Sequence, residues 1–171
     1  MRIQDLDHSE ETKSILSAFA ASPRGFLILV GNNGTGKTFC AETAFKCSSV
    51  RNENPGQIDD KLFFTQSDLN MKYSADVRQW GYPDYLYTRL STAKLLLLDD
   101  LGTRTPSEAF KDFLYAIIEK RERNKNLIGT IITTNLNREA MRVAFGDAIV
   151  SRIASGKILR FDGKDRRYNN F

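Results

Sequence analysis

Cysteine and histidine are nearly absent from this 171-residue chain, which has two of the first, Cys40 and Cys47, and one of the second, His8. So few sulfur and imidazole groups exclude a conventional zinc site, and two isolated thiols suit the reducing cytoplasm. Long apolar runs are missing as well. No stretch reaches membrane-spanning length, and the opening Met1 to Asp5 lacks the apolar core of a secretory signal. Internal repeats and low-complexity tracts are likewise absent. A large excess of one sign of charge is missing too, with 25 basic residues against 21 acidic ones. A net +4 and a pI near 9.1 favour a polyanionic ligand or partner only mildly, and a nucleotide alone would satisfy that bias.

What the chain does have is a 41% hydrophobic composition, enough for one domain with a buried core. The apolar run Phe26 to Val30 leads straight into Gly31, Asn32, Asn33, Gly34, Thr35, Gly36, Lys37 and Thr38, which satisfies the phosphate-loop pattern G-x-x-x-x-G-K-[ST]. Glycines let successive backbone N–H groups converge on a phosphate, and the helix predicted over Phe39 to Phe45 adds the positive end of its dipole. Lys37 is then the candidate for the β and γ phosphates and the Thr38 hydroxyl for Mg²⁺, with Phe39 opening the helix beside them.

A second anchor is Lys94 to Gly102, four leucines followed by Asp99, Asp100, Leu101 and Gly102. Such a run reads as a strand buried on both faces of a parallel sheet, its two acids at the edge where open α/β sheets bind ligands. In phosphate-loop NTPases the strand-end acid holds Mg²⁺, so Asp99 is assigned to the metal and Asp100 to the general base that polarises water. Leu127 to Thr133 reads as another buried strand running into Thr134 and Asn135, whose amide can hold the water or sense the γ phosphate, or else simply cap the next turn.

Strands are also expected near Leu62 and Ile158, giving a five-stranded parallel sheet flanked by helices on both faces. Ser9 is read as the cap of a helix through Ala20, with His8 as a surface residue before it. Ser67 and Asp68 are read as caps of a helix toward Trp80. The stretch Thr105, Pro106, Ser107, Glu108 reads as a capping box with proline at the first helical position, opening a helix whose Phe110, Phe113, Leu114, Ile117 and Ile118 face the sheet. Its Lys120 to Lys125 tail reads as solvated surface. Two short helices, Arg138 to Ala144 and Asp147 to Ser155, break at Gly146. The polar segment Ser48 to Asp60 reads as a surface loop.

Between these anchors lies an aromatic and basic interval, with Tyr73, Trp80, Tyr82, Tyr85 and Tyr87 among Lys72, Arg78 and Arg89. Such a mixture can stack the bases of single-stranded DNA and neutralise its phosphates; equally, the rings can pack the helices onto the sheet while the charges stay solvated.

The order of these motifs, closed by Ser151-Arg152-Ile153 and a terminal Phe161-x-Gly163-x-x-x-Arg167, resembles the AAA+ ATPases of the DnaC/IstB type, bacterial helicase loaders and transposition helpers. The likeness runs from about Ile3 to Arg167. It implies an AAA+ P-loop NTPase of the ASCE type, a three-layer α/β/α domain that binds ATP and Mg²⁺. By that resemblance Asn135 is the sensor 1 residue, Arg152 the arginine finger reaching a neighbouring subunit's γ phosphate, and Arg167 the sensor 2 arginine, with Arg166 beside it. It further implies a replicative helicase as partner, self-association that supplies Arg152 in trans, and contact with single-stranded DNA. Asp100 departs from the glutamate many AAA+ proteins carry there. Residues 1–171 are expected to form a single ATPase core, without the loaders' N-terminal helicase-binding region or a helical lid. An IstB-like transposition helper and a non-hydrolysing, nucleotide-dependent adaptor are the alternative functions, and a small-molecule kinase would need an arginine-bearing lid that no insertion supplies.

Overall fold

The computed structural model describes residues 2–51 and 60–162. Five strands, β1 (Gly25–Gly31), β2 (Lys61–Thr65), β3 (Leu95–Asp99), β4 (Gly129–Thr134) and β5 (Lys157–Phe161), form one parallel sheet in the order β2-β3-β4-β1-β5. Among the described residues seven α-helices surround it: α1 (Glu10–Ala21), α2 (Lys37–Cys47), α3 (Gln66–Trp80), α4 (Asp84–Thr92), α5 (Glu108–Arg123), α6 (Arg138–Phe145) and α7 (Asp147–Ile153). Among the described residues no helix is long and apolar enough to cross a membrane.

The central strands are apolar on both sides because both faces are covered. Leu27, Leu29, Leu95, Leu97 and Ile131 pack with Leu16, Cys40, Ala41 and Ala44 under α1 and α2. The alternate residues Phe26, Ile28, Leu96, Leu98 and Ile132 join Leu86, Leu90, Phe110, Leu114, Ile117 and Val150 on the other face. Strand pleating sends successive side chains to opposite faces, so four consecutive leucines divide between the two cores. At its C-terminal edge β1 leads into a helix on one face, while its neighbour β4 leads into helices on the other. Ligands bind at such a divergence in open α/β sheets.

Several boundaries fall elsewhere than the sequence reading put them. Thr65, not Ser67, caps α3: its hydroxyl accepts the Asp68 N–H at 3.1 Å and donates to the Asp68 carboxylate at 2.8 Å. The chain therefore turns from β2 into α3 with no intervening loop. Ser107 caps α5 by accepting the Phe110 N–H at 3.3 Å, so Pro106 is buried ahead of the helix rather than inside it. β4 begins at Gly129, leaving Leu127 75% exposed. Of the expected polar loop between Ser48 and Asp60, residues 52–59 lie outside the described residues.

The largest departure is Arg121, read as surface and found 1% exposed. Its guanidinium donates from Nε to Thr130 Oγ1 at 2.8 Å and from Nη1 to the Leu90 and Ala93 carbonyls at 2.8 and 2.9 Å. Nη2 donates to the Gly129 carbonyl. Burial lowers its pKa to about 9, so the group stays cationic at neutral pH. The Leu90 and Ala93 carbonyls lie at the C-terminal end of α4, where backbone acceptors are left over and a cation complements the helix dipole. Arg121 thus closes α4 from α5 and ties both to the start of β4.

Candidate functional site

The phosphate loop leaves β1 at Gly31, and two of its glycines, Gly34 and Gly36, take φ values of +73° and +93°. Gly36 sits at the N-terminus of α2, where an L side chain would be strained and its Cβ would come within 3.1 Å of His8 Nε2. The 5% exposed Lys37 donates its ammonium to the Asn32 carbonyl at 2.7 Å, and Thr35 Oγ1 donates to the same oxygen at 2.9 Å. Lys37 and Thr38 begin α2, so their backbone donors and the helix dipole point the same way.

At the end of β3, Asp99 is 3% exposed and Asp100 is exposed. Asp99 Oδ1 accepts from Thr38 Oγ1 at 3.0 Å and from Thr133 Oγ1 at 2.6 Å. That contact brings the phosphate loop and the paired acids together on one edge of the sheet. Burial pushes the Asp99 carboxyl above its usual range, and the charges of Asp100 and Glu42 add to the rise against the two hydroxyl donors. A divalent cation would oppose all of it. The donor set fits magnesium: a hydroxyl and a carboxylate are hard oxygens, and Mg²⁺ is commonly held by one or two carboxylates with water and substrate phosphates.

Asp100 adopts φ +55°, the one non-glycine residue with positive φ among those described. Its N–H donates to Thr133 Oγ1 at 2.9 Å, and the next N–H, of Leu101, donates to the Thr133 carbonyl at 2.9 Å. A sparsely populated backbone held this firmly places the Asp100 carboxylate on the wall of the cleft. Asn135, just beyond β4, donates from Nδ2 to Asn33 Oδ1 at 3.3 Å, so the third strand end meets the phosphate loop as well.

The cleft over these groups measures about 530 Å³; besides Asn33, Gly34, Gly36, Lys37, Thr38 and Asp100, it is lined by Asp7, His8, Phe39 and Glu42. His8 is therefore no plain surface residue. It is half-buried, lies against Gly36 and meets the Phe161 ring edge to face at 5.0 Å. Nothing local marks it, because a segment ahead of α1 reaches the loop only through the tertiary fold. Phe39 is 51% exposed within this cleft.

Arg152 stands apart, on α7 and outside the cleft lining. Nη1 donates to the Ala148 carbonyl at 2.9 Å and Nη2 to the Tyr115 hydroxyl at 2.8 Å, with the guanidinium 4.7 Å from the Tyr115 ring centroid and 3.6 Å from Glu119. Arg166 and Arg167 lie outside the described residues.

The aromatic interval divides. Tyr73 packs on Phe110 and Phe113, and Tyr87 lies against the same core. Trp80, Tyr82 and Tyr85 are 72%, 55% and 67% exposed at the junction of α3 and α4. Of the basic residues, Lys72 pairs with Asp76 at 3.0 Å, Arg78 Nε donates to the Ser74 carbonyl at 3.2 Å, and Arg89 lies 5.5 Å from the Tyr85 ring centroid.

Known proteins resemble this chain in sequence and in fold. A solved DnaC helicase loader is 25% identical with a TM-score of 0.71, covering 94% of this chain and 96% of the other. A replication initiator DnaA bound to AMPPCP and single-stranded DNA shares the P-loop AAA+ fold at a TM-score of 0.76, with 15% identity over 95% of this chain and 50% of its own. The replicative helicase loader DnaC of Escherichia coli K12 is 28% identical over 133 residues, 77% of this chain and 51% of the relative. This chain thus spans about half the length of the curated relatives it matches. The family model described as IstB-like ATP binding protein matches residues 11–160, and the chain belongs to that family.

Proposed function

We propose that this protein is a Mg²⁺-dependent AAA+ ATPase of helicase-loader type, whose nucleotide state governs its contacts with a replicative helicase and single-stranded DNA in the cytoplasm. The observation that supports the reading is the Thr38–Asp99 hydrogen bond, which joins the glycine-rich loop to the acids at the end of β3. In this reading backbone N–H groups of Gly34 to Thr38 and the Lys37 ammonium hold the β and γ phosphates. Thr38 and Asp99 hold Mg²⁺, which when bound neutralises charge on the phosphate oxygens. Asp100 accepts a proton from the attacking water, Asn135 orients it, Arg152 is supplied by a neighbouring copy, and Arg167 acts as the sensor 2 arginine. Asp7, His8 and Phe39, which also line the cleft, are assigned to the base in this reading.

Phosphate release from MgATP tests the reading. Lys37→Ala should lower turnover by about a hundredfold or more, the scale for losing one charged transition-state contact. Asp99→Asn should abolish metal-dependent turnover without weakening the fold. A buried carboxyl with a raised pKa costs the folded state stability once it ionises, a cost absent below its unfolded pKa and fully present above its folded one. Asparagine keeps Oδ1 as acceptor for both threonines and removes that cost, so its thermal midpoint at neutral pH should equal or exceed wild type. Wild-type binding with no turnover would favour the adaptor instead.

The exposure of Trp80, Tyr82 and Tyr85 supports base stacking at the α3–α4 junction. Trp80→Ala should weaken binding of a labelled single-stranded oligonucleotide about tenfold, within the range for one lost stacking contact, and Arg78→Gln should lower the salt slope by about one. Unchanged binding in both variants would remove this surface from the proposal.

A further inference from the structure

Gln66 is the first residue of α3, one position beyond the end of β2, and its side chain is buried at 4% exposure. Its amide spans the turn that follows the paired acids. Oε1 accepts the Gly102 N–H at 2.6 Å, and Nε2 donates to the Arg104 carbonyl at 2.8 Å. The opposite side of that turn is fixed by β4, through Thr133 to Asp100 and Leu101 and through Thr134 Oγ1 to the Leu101 carbonyl at 2.6 Å. The strained Asp100 backbone therefore hangs between two supports. One belongs to a strand buried along its whole length; the other is a side chain at the start of a helix.

That helix is lightly held elsewhere. Along α3 only Gln66, Leu69 and Asp76 are buried, with Tyr73 packed on α5's phenylalanines. Fifteen helical residues make a stiff rod about 22 Å long. Its far end carries Trp80, followed by Gly81 at φ +79° and then Tyr82. A small shift of the acid turn, levered through Gln66, would displace the exposed aromatics at the far end of this rod.

We infer that Gln66 is a positioning residue that couples occupancy of the nucleotide cleft to the α3–α4 surface. The inference rests on nucleotide binding as proposed above, and asks in addition that the two sites communicate through this one amide. The coupling is reciprocal: a ligand seated on Trp80 and Tyr82 pulls on the Gly102 to Arg104 turn and resets the Asp100 carboxylate. A glutamine that only filled space at the start of α3 would leave the two sites independent.

Trp80 is the only tryptophan in the chain, so its emission reports on the far end of α3. Wild-type protein is titrated with Mg²⁺ and a non-hydrolysable ATP analogue, with affinity measured separately by calorimetry. A saturable change in Trp80 emission, following the calorimetric binding curve, is expected. In Gln66→Leu the emission change should fall about fivefold or more while affinity stays within about twofold, the split expected of lost coupling rather than lost binding. Gln66→Glu keeps an acceptor for Gly102 but loses the donor to Arg104, so an intermediate response is expected; it also carries the test if the leucine variant fails to fold. A full emission change in a folded variant, or wild-type binding with no emission change, overturns the coupling. Absence of calorimetric binding in wild type overturns the nucleotide reading itself.

Discussion

Arg121→Leu is expected to destabilise the fold by about 3–5 kcal/mol, the largest stability effect of any single substitution considered for this chain. The deleted guanidinium satisfies four acceptors: the Leu90, Ala93 and Gly129 carbonyls and Thr130 Oγ1. Each buried acceptor left without a donor costs roughly 1–3 kcal/mol. Relief of burying a cation works the other way, since no carboxylate pairs with Arg121 among the described residues and desolvation alone lowers its pKa. The sum still favours destabilisation, because leucine cannot bond any of the four and the α4 C-terminus would lose its closing charge as well. For a domain of this size the loss amounts to a fall of roughly 6–20 °C in thermal midpoint. Urea unfolding measures it directly. A loss below about 1 kcal/mol would mean that shedding the buried charge offsets the broken hydrogen bonds.

The same residue marks where sequence reading worked and where it stopped. The strands, the phosphate loop and the paired acids were legible because each is local: a strand-length apolar run and a motif of fixed spacing need no partner to be recognised. Arg121 was missed because it sits inside a charged run, Glu119 to Arg123, yet it falls three, four and seven residues after Ile118, Ile117 and Leu114, on the buried stripe of α5. Position outweighed residue type. Thr65 and Asp68 have the spacing of a capping box, so the true start of α3 was also written in the chain; Ser67 drew attention because it is the more familiar cap. His8 and Gln66 carried no local signal. Their partners, Gly36 and Phe161 for one and Gly102 and Arg104 for the other, lie distant in sequence and adjacent only after folding.

In the aromatic interval, composition could not distinguish rings that pack from rings that project. Tyr73 faces α5 and Trp80 faces solvent, although they lie two helical turns apart on one helix, Trp80 being its last residue before Gly81. The charges redistribute in the same way. Lys72 is balanced by Asp76, leaving Arg78 as the more available of the two cations on α3.

On the proposed reading, Arg152→Ala should bind nucleotide like wild type and turn it over about a thousandfold more slowly, the lower end of the range for losing an arginine finger. Within its own protomer the guanidinium rests on Tyr115, Glu119 and the Ala148 carbonyl, away from the cleft, so its service to a phosphate requires a second copy. Mixing decides the matter. Lys37→Ala protomers have a defective phosphate site and an intact Arg152; Arg152→Ala protomers have the reverse. Each alone should be nearly inactive. In an equal mixture about one interface in four joins an intact site to an intact arginine, so about a quarter of wild-type turnover should return through head-to-tail contacts. Turnover per chain in wild type should also rise with protein concentration. If Arg152 only clamps α7 to Tyr115, its alanine variant will instead show a lowered thermal midpoint with turnover close to wild type, and mixing will restore nothing. That result would leave the cleft intact as a nucleotide site and remove assembly from its control.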